Sequence, residues 1–185
     1  MRNLSLLKSI ALASSVCLAG SNAFAGAQPI LWSALRPAHQ SNQAALAFSG
    51  KTVSRSLGET LAWSEERPVQ LTGFILPIDR EGDLVYAFML VPWAGACSHT
   101  AAPPPNQLVH VVPQVPFRIS KIYETVTVTG SLQAGLEKVQ LFIMDGVRVL
   151  DYGYSMGRAG VEKAADTTDP ELRSVSPLAI RPRGL

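Results

Sequence analysis

The sequence feature that most limits the fold is an unbroken apolar run, Leu84–Val91 (LVYAFMLV), which follows a charged turn at residues 79–83 and ends before Pro92. Continuous apolar runs of this length are typical of strands that are buried on both faces or belong to a closed barrel. The run therefore predicts a core in which short strands dominate.

Further runs have the composition of short strands: residues 69–78, 108–112, 125–132, 139–144 and 147–152. The first of them contains Gly73, where we expect the strand to bend or bulge. The last two are joined by Asp145-Gly146, a dipeptide that predicts a hairpin turn.

Six short strands and little helix favour a mainly β fold. Strands with an internal glycine, at which a sheet coils sharply, are what small Greek-key barrels need. We therefore predict a small, partly open Greek-key β-barrel of the oligonucleotide/oligosaccharide-binding (OB) type, with an N-terminal arm and a short helix. A two-sheet β-sandwich is the alternative.

The first residues have the layout of a secretory signal. Arg2 and Lys8 precede an apolar stretch at residues 9–20, and Ala23-Phe24-Ala25 offers a cleavage site. The stretch is shorter than the roughly 20 residues that cross a bilayer. We predict cleavage near Ala25 and a free periplasmic protein.

Cys17 offers a different route to the membrane, because a lipidated cysteine also follows an apolar run. Val16 stands before it, where lipoprotein signals have a small side chain. Membrane association is therefore expected only if Cys17 is lipidated.

We divide the chain into a signal peptide at residues 1–25, an N-terminal arm at 26–56, a β domain at 57–155 and a C-terminal extension at 156–185. Trp32 and Leu35 are expected to attach the arm to the core, because a large aromatic side chain outside a core is costly. Ser56 and Glu59 have capping-box spacing, which predicts a short helix over residues 57–64.

The charge balance argues against two classes of partner. Removal of Arg2 and Lys8 with the signal leaves 14 of the 16 Lys and Arg residues against 14 acidic residues. The mature chain is then neutral and has no basic cluster, which argues against nucleic acid and against an anionic membrane surface.

The segment between the second and third predicted strands, residues 91–107, has a composition that no core requires. Three consecutive prolines impose an extended conformation and reduce the conformational entropy of the loop. A glycine lets the backbone bend before Cys97, and an Asn-Gln pair supplies amide donors and acceptors at the loop exit. The predicted partner-binding residues are Gly95, Pro103, Pro104, Pro105, Asn106 and Gln107.

Cys97 is the only cysteine left after signal removal, so the mature chain has no internal disulfide. In one interpretation, Cys97 is a buried side chain that behaves as a small hydrophobe. In a second, Cys97 and His99 project to one side of an extended chain and hold zinc or copper, with His110 as a third candidate ligand. In a third, Cys97 is a nucleophile activated by His99 or His110, with Asn106 as the orienting group. The sequence has no nucleophile elbow or oxyanion loop, and we assign no catalytic residue.

Four motifs stand at residues 73–77 (GFILP), 88–92 (FMLVP), 95–100 (GACSHT) and 103–107 (PPPNQ). Together they resemble the bacterial exported family named domain of unknown function 3299, over residues 63–132. The resemblance implies an exported protein or lipoprotein with a role in the cell envelope, and transporter genes near those of family members hint at metal handling. Family members continue the proline run directly, whereas Ala101 and Ala102 intervene here. The resemblance does not extend to His110.

The sequence thus favours an exported periplasmic accessory or binding module without enzymatic activity. Its loop around Cys97 and His99 binds a metal ion or docks a partner, such as an envelope protein or a transporter component. A thiol-dependent enzyme that uses Cys97 and a purely structural interaction domain are the alternatives.

Overall fold

The structure is a computed structural model that describes residues 26–37, 61–65, 67–97, 102–143, 146–164 and 169–173. The predicted signal peptide lies outside these residues. So does the first part of the helix predicted over residues 57–64, and its described part, residues 61–64, forms no helix.

Strands make up most of the described chain. They are β1 Gln28–Pro29, β2 Pro68–Glu81, β3 Leu84–Val91, β4 Val109–Pro113, β5 Phe117–Arg118, β6 Thr125–Ser131, β7 Gln133–Ile143 and β8 Gly146–Lys163. The described helices are the 3-10 helices Trp32–Leu35 and Pro105–Gln107 and the α-helix α1, Pro170–Arg173. The predicted mainly β fold is confirmed. Among the described segments, no helix is long and apolar enough to span a membrane.

Five strands close into a ring in the order β2-β6-β8-β4-β3, because β3 also pairs with β2. Neighbouring strands of the ring are antiparallel except β4 and β8, which are parallel. The ring is not spread evenly round an axis. β1 adds to β2, β5 adds to β3, and β7 pairs with β8, so the described strands form one sheet.

The side chains inside the ring form the first hydrophobic cluster. Alternation along β6 buries Val126 and Val128, and β8 contributes Tyr154 and Met156. Burial of an aliphatic side chain of this size contributes about 1.5–3 kcal/mol. This cluster is the main source of hydrophobic stability in the ring.

A two-stranded ribbon, defined here as β7 with residues 146–153 of β8, packs outside the ring. Its inner face joins the second hydrophobic cluster, which contains Leu76, Met89, Val91, Trp93, Ala96, Cys97, Leu108, Leu141, Leu150 and Tyr152. In β3, Phe88 and Leu90 belong to the first cluster, whereas Met89 and Val91 belong to the second. Residues 88–91 of β3 are thus buried on both faces, which explains why the apolar run does not alternate there.

The N-terminal segment, defined here as residues 26–37, is attached to the ring through Trp32, as the sequence predicts. Trp32 and Leu35 are fully buried in the first cluster. The indole Nε1 of Trp32 donates to the main-chain oxygen of Thr72 at 2.7 Å, and its backbone N–H donates to Asp169 Oδ2 at 3.2 Å. The segment therefore touches both β2 and the start of α1.

Gly73 does not mark the predicted bulge. The pairing of β2 with β6 is regular through Gly73, and the register shifts of β2 lie at residues 77–80. A Cβ atom at Gly73 would lie 2.9 Å from Trp32 Cζ2, from Leu90 Cγ and from the main-chain oxygen of Val91. The glycine is needed because the indole and β3 both approach the strand closely.

β8 is much longer than the strand predicted at residues 147–152, and it continues past residue 155 to Lys163. Its second half pairs with β4 and β6 and completes the ring. Gly157 and Gly160 interrupt the apolar pattern there, which hides the strand in the sequence. Beyond it, Leu172 of α1 packs in the first cluster.

Candidate functional site

The loop between β3 and β4 carries most of the predicted site residues. Its described parts are residues 92–97 and 102–108. His99 lies outside the described residues, so its position relative to Cys97 stays a prediction.

Cys97 is fully buried in the second cluster, as the first of the three interpretations requires. Burial raises the pKa of its thiol to about 12, although the positive charge of Arg148 acts in the opposite direction. The thiol is therefore protonated at neutral pH and packs as a neutral, apolar group.

The backbone around Cys97 is bent through two residues with positive φ. Gly95 has a φ of 83°, which agrees with its predicted role, and Cys97 itself has a φ of 67°. A left-handed conformation costs a residue other than glycine on the order of 1–3 kcal/mol unless its surroundings hold it. Here the hydroxyl of Tyr123 donates to the main-chain oxygen of Ala96 at 2.6 Å and holds the bend.

The proline segment leads into a 3-10 turn that faces the interior. Pro104 has φ −64° and ψ 157°, the extended conformation expected of consecutive prolines. Pro103 and Pro105 are buried, whereas Pro104 is half-buried.

The two amide residues of the loop exit also face inward. Asn106 and Gln107 are 0% and 1% exposed. The Gln107 Nε2 donates to the main-chain oxygens of Trp32 at 3.2 Å and of Asn106 at 2.8 Å. Gln107 therefore connects the loop to the N-terminal segment of the same chain.

His110 lies on β4, half-buried, with its ring centroid 5.3 Å from that of Tyr152. Burial lowers the pKa of His110, and the nearby Glu137 carboxylate opposes this effect. The Tyr152 hydroxyl donates to Glu137 Oε2 at 2.6 Å. Tyr152 thus contacts His110 and also belongs to the cluster that encloses Cys97.

A family model described as "Protein of unknown function (DUF3299)" matches residues 32–163. The chain belongs to the DUF3299 family. The match extends past both ends of the resemblance seen in the motifs: it begins at Trp32 and ends with β8, so it spans the whole ring.

A solved DUF3299 structure shares this fold. It is the crystal structure of a DUF3299 family protein from Pseudomonas aeruginosa PAO1, which is 22% identical in sequence and superposes with a TM-score of 0.53. The match covers 76% of this chain and 98% of that chain. No curated protein matches the chain.

This DUF3299 chain brings together some of the predicted residues. Cys97 and Tyr152 share the second cluster, the ring of Tyr152 contacts that of His110, and Gln107 donates a hydrogen bond to the main-chain oxygen of Trp32. Within the described residues, no group of three His, Cys, Asp or Glu side chains is placed to hold a metal ion. The metal interpretation therefore depends on His99.

The sequence-based predictions for this DUF3299 chain do not include the structural roles of two tyrosines, Tyr154 and Tyr123. The hydroxyl of Tyr154 accepts from the backbone N–H of Trp63 at 3.1 Å and donates to the main-chain oxygen of Leu35 at 3.0 Å. Its signal is the alternation through Tyr152, Tyr154 and Met156, which continues beyond the predicted strand. Tyr123 stands in a turn and has no comparable signal.

Proposed function

We propose that this chain is an exported, non-catalytic binding module of the cell envelope, built on an OB-type Greek-key barrel. The order of the ring supports the barrel type. Numbered along the chain, the first four ring strands are β2, β3, β4 and β6, and they lie in the spatial order fourth, first, second, third. That order agrees with a Greek-key arrangement in which β8 is the closing strand, and it supports the proposal.

Two features support a binding role without catalysis. The Cys97 thiol is buried and neutral, whereas a nucleophilic thiol must be exposed and ionised. The second and third ring strands, β3 and β4, form the face on which OB folds bind oligonucleotides or oligosaccharides. Here the second cluster covers residues of that face, which favours a different kind of partner.

The observation that carries the proposal is the open strand edge of the ribbon, together with its exposed apolar side chains. Within the described chain, β8 is the only strand paired with β7, so the other edge of β7 is open. The outer face of the ribbon exposes Phe142 (69%), Val147 (56%) and Val149 (56%). An open strand edge can recruit an extended segment as an additional strand, and exposed apolar side chains beside the edge can pack against that segment.

Proteins usually protect such edges with unpaired charge or with proline. β7 has two charged residues, Glu137 and Lys138. Its sequence contains no proline. Lys138 is paired with Asp151, and Glu137 accepts the hydrogen bond of Tyr152, so both charges are already engaged within the ribbon. We infer that an extended apolar segment of an envelope protein, such as a transporter component, adds as a strand beside β7.

Site-specific photo-crosslinking in cells tests this function. A photoreactive amino acid at Phe142 should give an adduct with one envelope protein, and Val149→Asp should abolish the adduct. Val115→Asp is the matched control, because Val115 is 72% exposed but lies outside the ribbon. An adduct whose yield is unchanged by Val149→Asp would contradict the proposal. So would adducts that contain only a second copy of this chain.

A further inference from the structure

The ribbon is attached to the ring at one end only. β8 gains β4 as a second neighbour from Tyr154 onward, and β6 from Gly160. Over residues 146–153, β7 is the only described strand that pairs with β8. At the base of the ribbon, Gln133 and Ala134 of β7 pair with Ser155 and Tyr154, which belong to the ring. Beyond that level, the described strand pairs hold the ribbon together but do not hold it to the ring.

Side-chain packing holds the ribbon against the ring instead. Leu141, Leu150 and Tyr152 are 1%, 7% and 5% exposed, and they share the second cluster with Met89 and Val91 of β3. The contact is thus an apolar interface between two layers of the same chain, separate from the interior of the ring.

Cys97 belongs to this interface. It is fully buried in the same cluster as the inner face of the ribbon. Arg148, which stands opposite Leu141 in the ribbon, is near enough for its charge to act on the thiol. Separation of the ribbon from the ring would therefore uncover Cys97.

The base of the ribbon contains an irregularity. The pairing of β7 with β8 shifts register between Ala134 and Glu137, which lie opposite Tyr154 and Tyr152. Gly135 lies within this shift. A bulge disrupts the ladder and glycine is the least restricted residue, so the strand bends most easily there. This level coincides with the point where β8 gains β4.

We propose that the ribbon opens from the ring as a unit about this level, and that its opening controls the access of solvent to Cys97. Cooperative segments of native proteins open at free energies below that of global unfolding. The ribbon is thus a lid over the thiol, and the second cluster sets how often the lid is open.

Native-state thiol labelling tests the lid. The purified chain with Cys17→Ser is treated with iodoacetamide at urea concentrations well below its unfolding midpoint, and global unfolding is followed by circular dichroism. The labelling rate should depend less on urea than global unfolding does, because opening exposes less surface. Leu141→Ala should raise the rate by about 10- to 100-fold. Val126→Ala, a truncation inside the ring, should lower global stability and leave the native labelling rate unchanged.

Equal acceleration by the two substitutions would overturn the lid, and so would a labelling rate with the full urea dependence of unfolding. Labelling as fast as that of an exposed thiol would show that the ribbon covers nothing. If Leu141→Ala does not fold, the milder Val139→Ala replaces it, since Val139 is half-buried in the same cluster. Amide exchange of the unsubstituted chain gives a second measurement: ribbon amides should exchange together and before those of β2, and exchange at the β2 rate would also overturn the proposal.

Discussion

The hydroxyl of Tyr123 lies 2.6 Å from the main-chain oxygen of Ala96 and donates a hydrogen bond to it. Tyr123 and Cys97 both have positive φ values, 63° and 67°. The backbone N–H of Tyr123 also donates to the main-chain oxygen of Ile75 at 2.9 Å. One tyrosine thus connects the bend that precedes the thiol to β2, and two strained segments stabilise each other.

Loss of this hydroxyl should loosen the bend. Tyr123→Phe leaves the oxygen of Ala96 without the donor and should lower the free energy of unfolding by about 1 kcal/mol. Urea denaturation measures the change. Tyr86→Phe serves as the control, because Tyr86 is an exposed tyrosine of β3, and it should change stability by less than about 0.5 kcal/mol. Equal effects of the two substitutions would show that the Tyr123 hydroxyl has no special role.

Gly73→Ala should displace Trp32 from its place against β2. The new methyl group would stand 2.9 Å from the indole and from the side chain of Leu90, and overpacking of this kind costs about 1–3 kcal/mol. Gly157→Ala is the matched control, since its Cβ would meet nothing within 4 Å. The control should leave stability nearly unchanged or slightly raised. Urea denaturation measures the change in stability, and tryptophan fluorescence reports the displacement of Trp32. A Gly73→Ala variant with unchanged stability and unchanged fluorescence would contradict the close approach.

Stability should fall as the pH drops below about 6.5, the ordinary pKa of histidine. Burial lowers the pKa of His110 in the folded chain, so the unfolded chain takes up the proton more readily. The contribution of His110 is therefore complete above its unfolded pKa and is lost as the pH falls toward its folded pKa. Unfolding free energies at pH 8 and pH 5.5 should differ more in the unsubstituted chain than in His110→Gln. Equal differences would rule out His110 as the titrating group.

The metal interpretation predicts one zinc or copper ion per chain, held by Cys97 and His99 with His110 as the third candidate ligand. Because ionisation of a thiol with a pKa of about 12 is costly, binding must release a proton and should strengthen as the pH rises. Native mass spectrometry in a non-chelating buffer measures the metal. Cys97→Ser and His99→Gln should each abolish binding, whereas His39→Gln should not. A chain that contains no metal, and whose thermal stability does not change when zinc or copper is added, would exclude this centre.

The sequence predicts the strands best where the apolar pattern is local. The run Leu84–Val91 coincides with β3, and the alternation that begins at Thr125 is β6. It does not reveal how closely Gly73 is packed, because the neighbours are an indole about 40 residues earlier and residues of β3. It also ends β8 too early, because glycines interrupt the pattern while long-range pairing with β4 continues the strand.

The candidate site is predictable in composition but not in placement. The sequence shows that Cys97 and the prolines form an unusual loop, and it predicts the bend at Gly95. It cannot show that Asn106 and Gln107 turn inward, because the main-chain oxygen to which Gln107 donates belongs to Trp32, 75 residues earlier in the chain. The covering of Cys97 depends on a ribbon that lies more than 35 residues later in the chain.

The position of β8 between β4 and β6 has a consequence for folding. The last described strand is the one that closes the ring, so no closed ring exists until the residues up to Lys163 are available. Closure joins segments that are far apart along the chain, and such topologies fold slowly. A growing polypeptide would consequently leave the ribosome with its ring of strands still open.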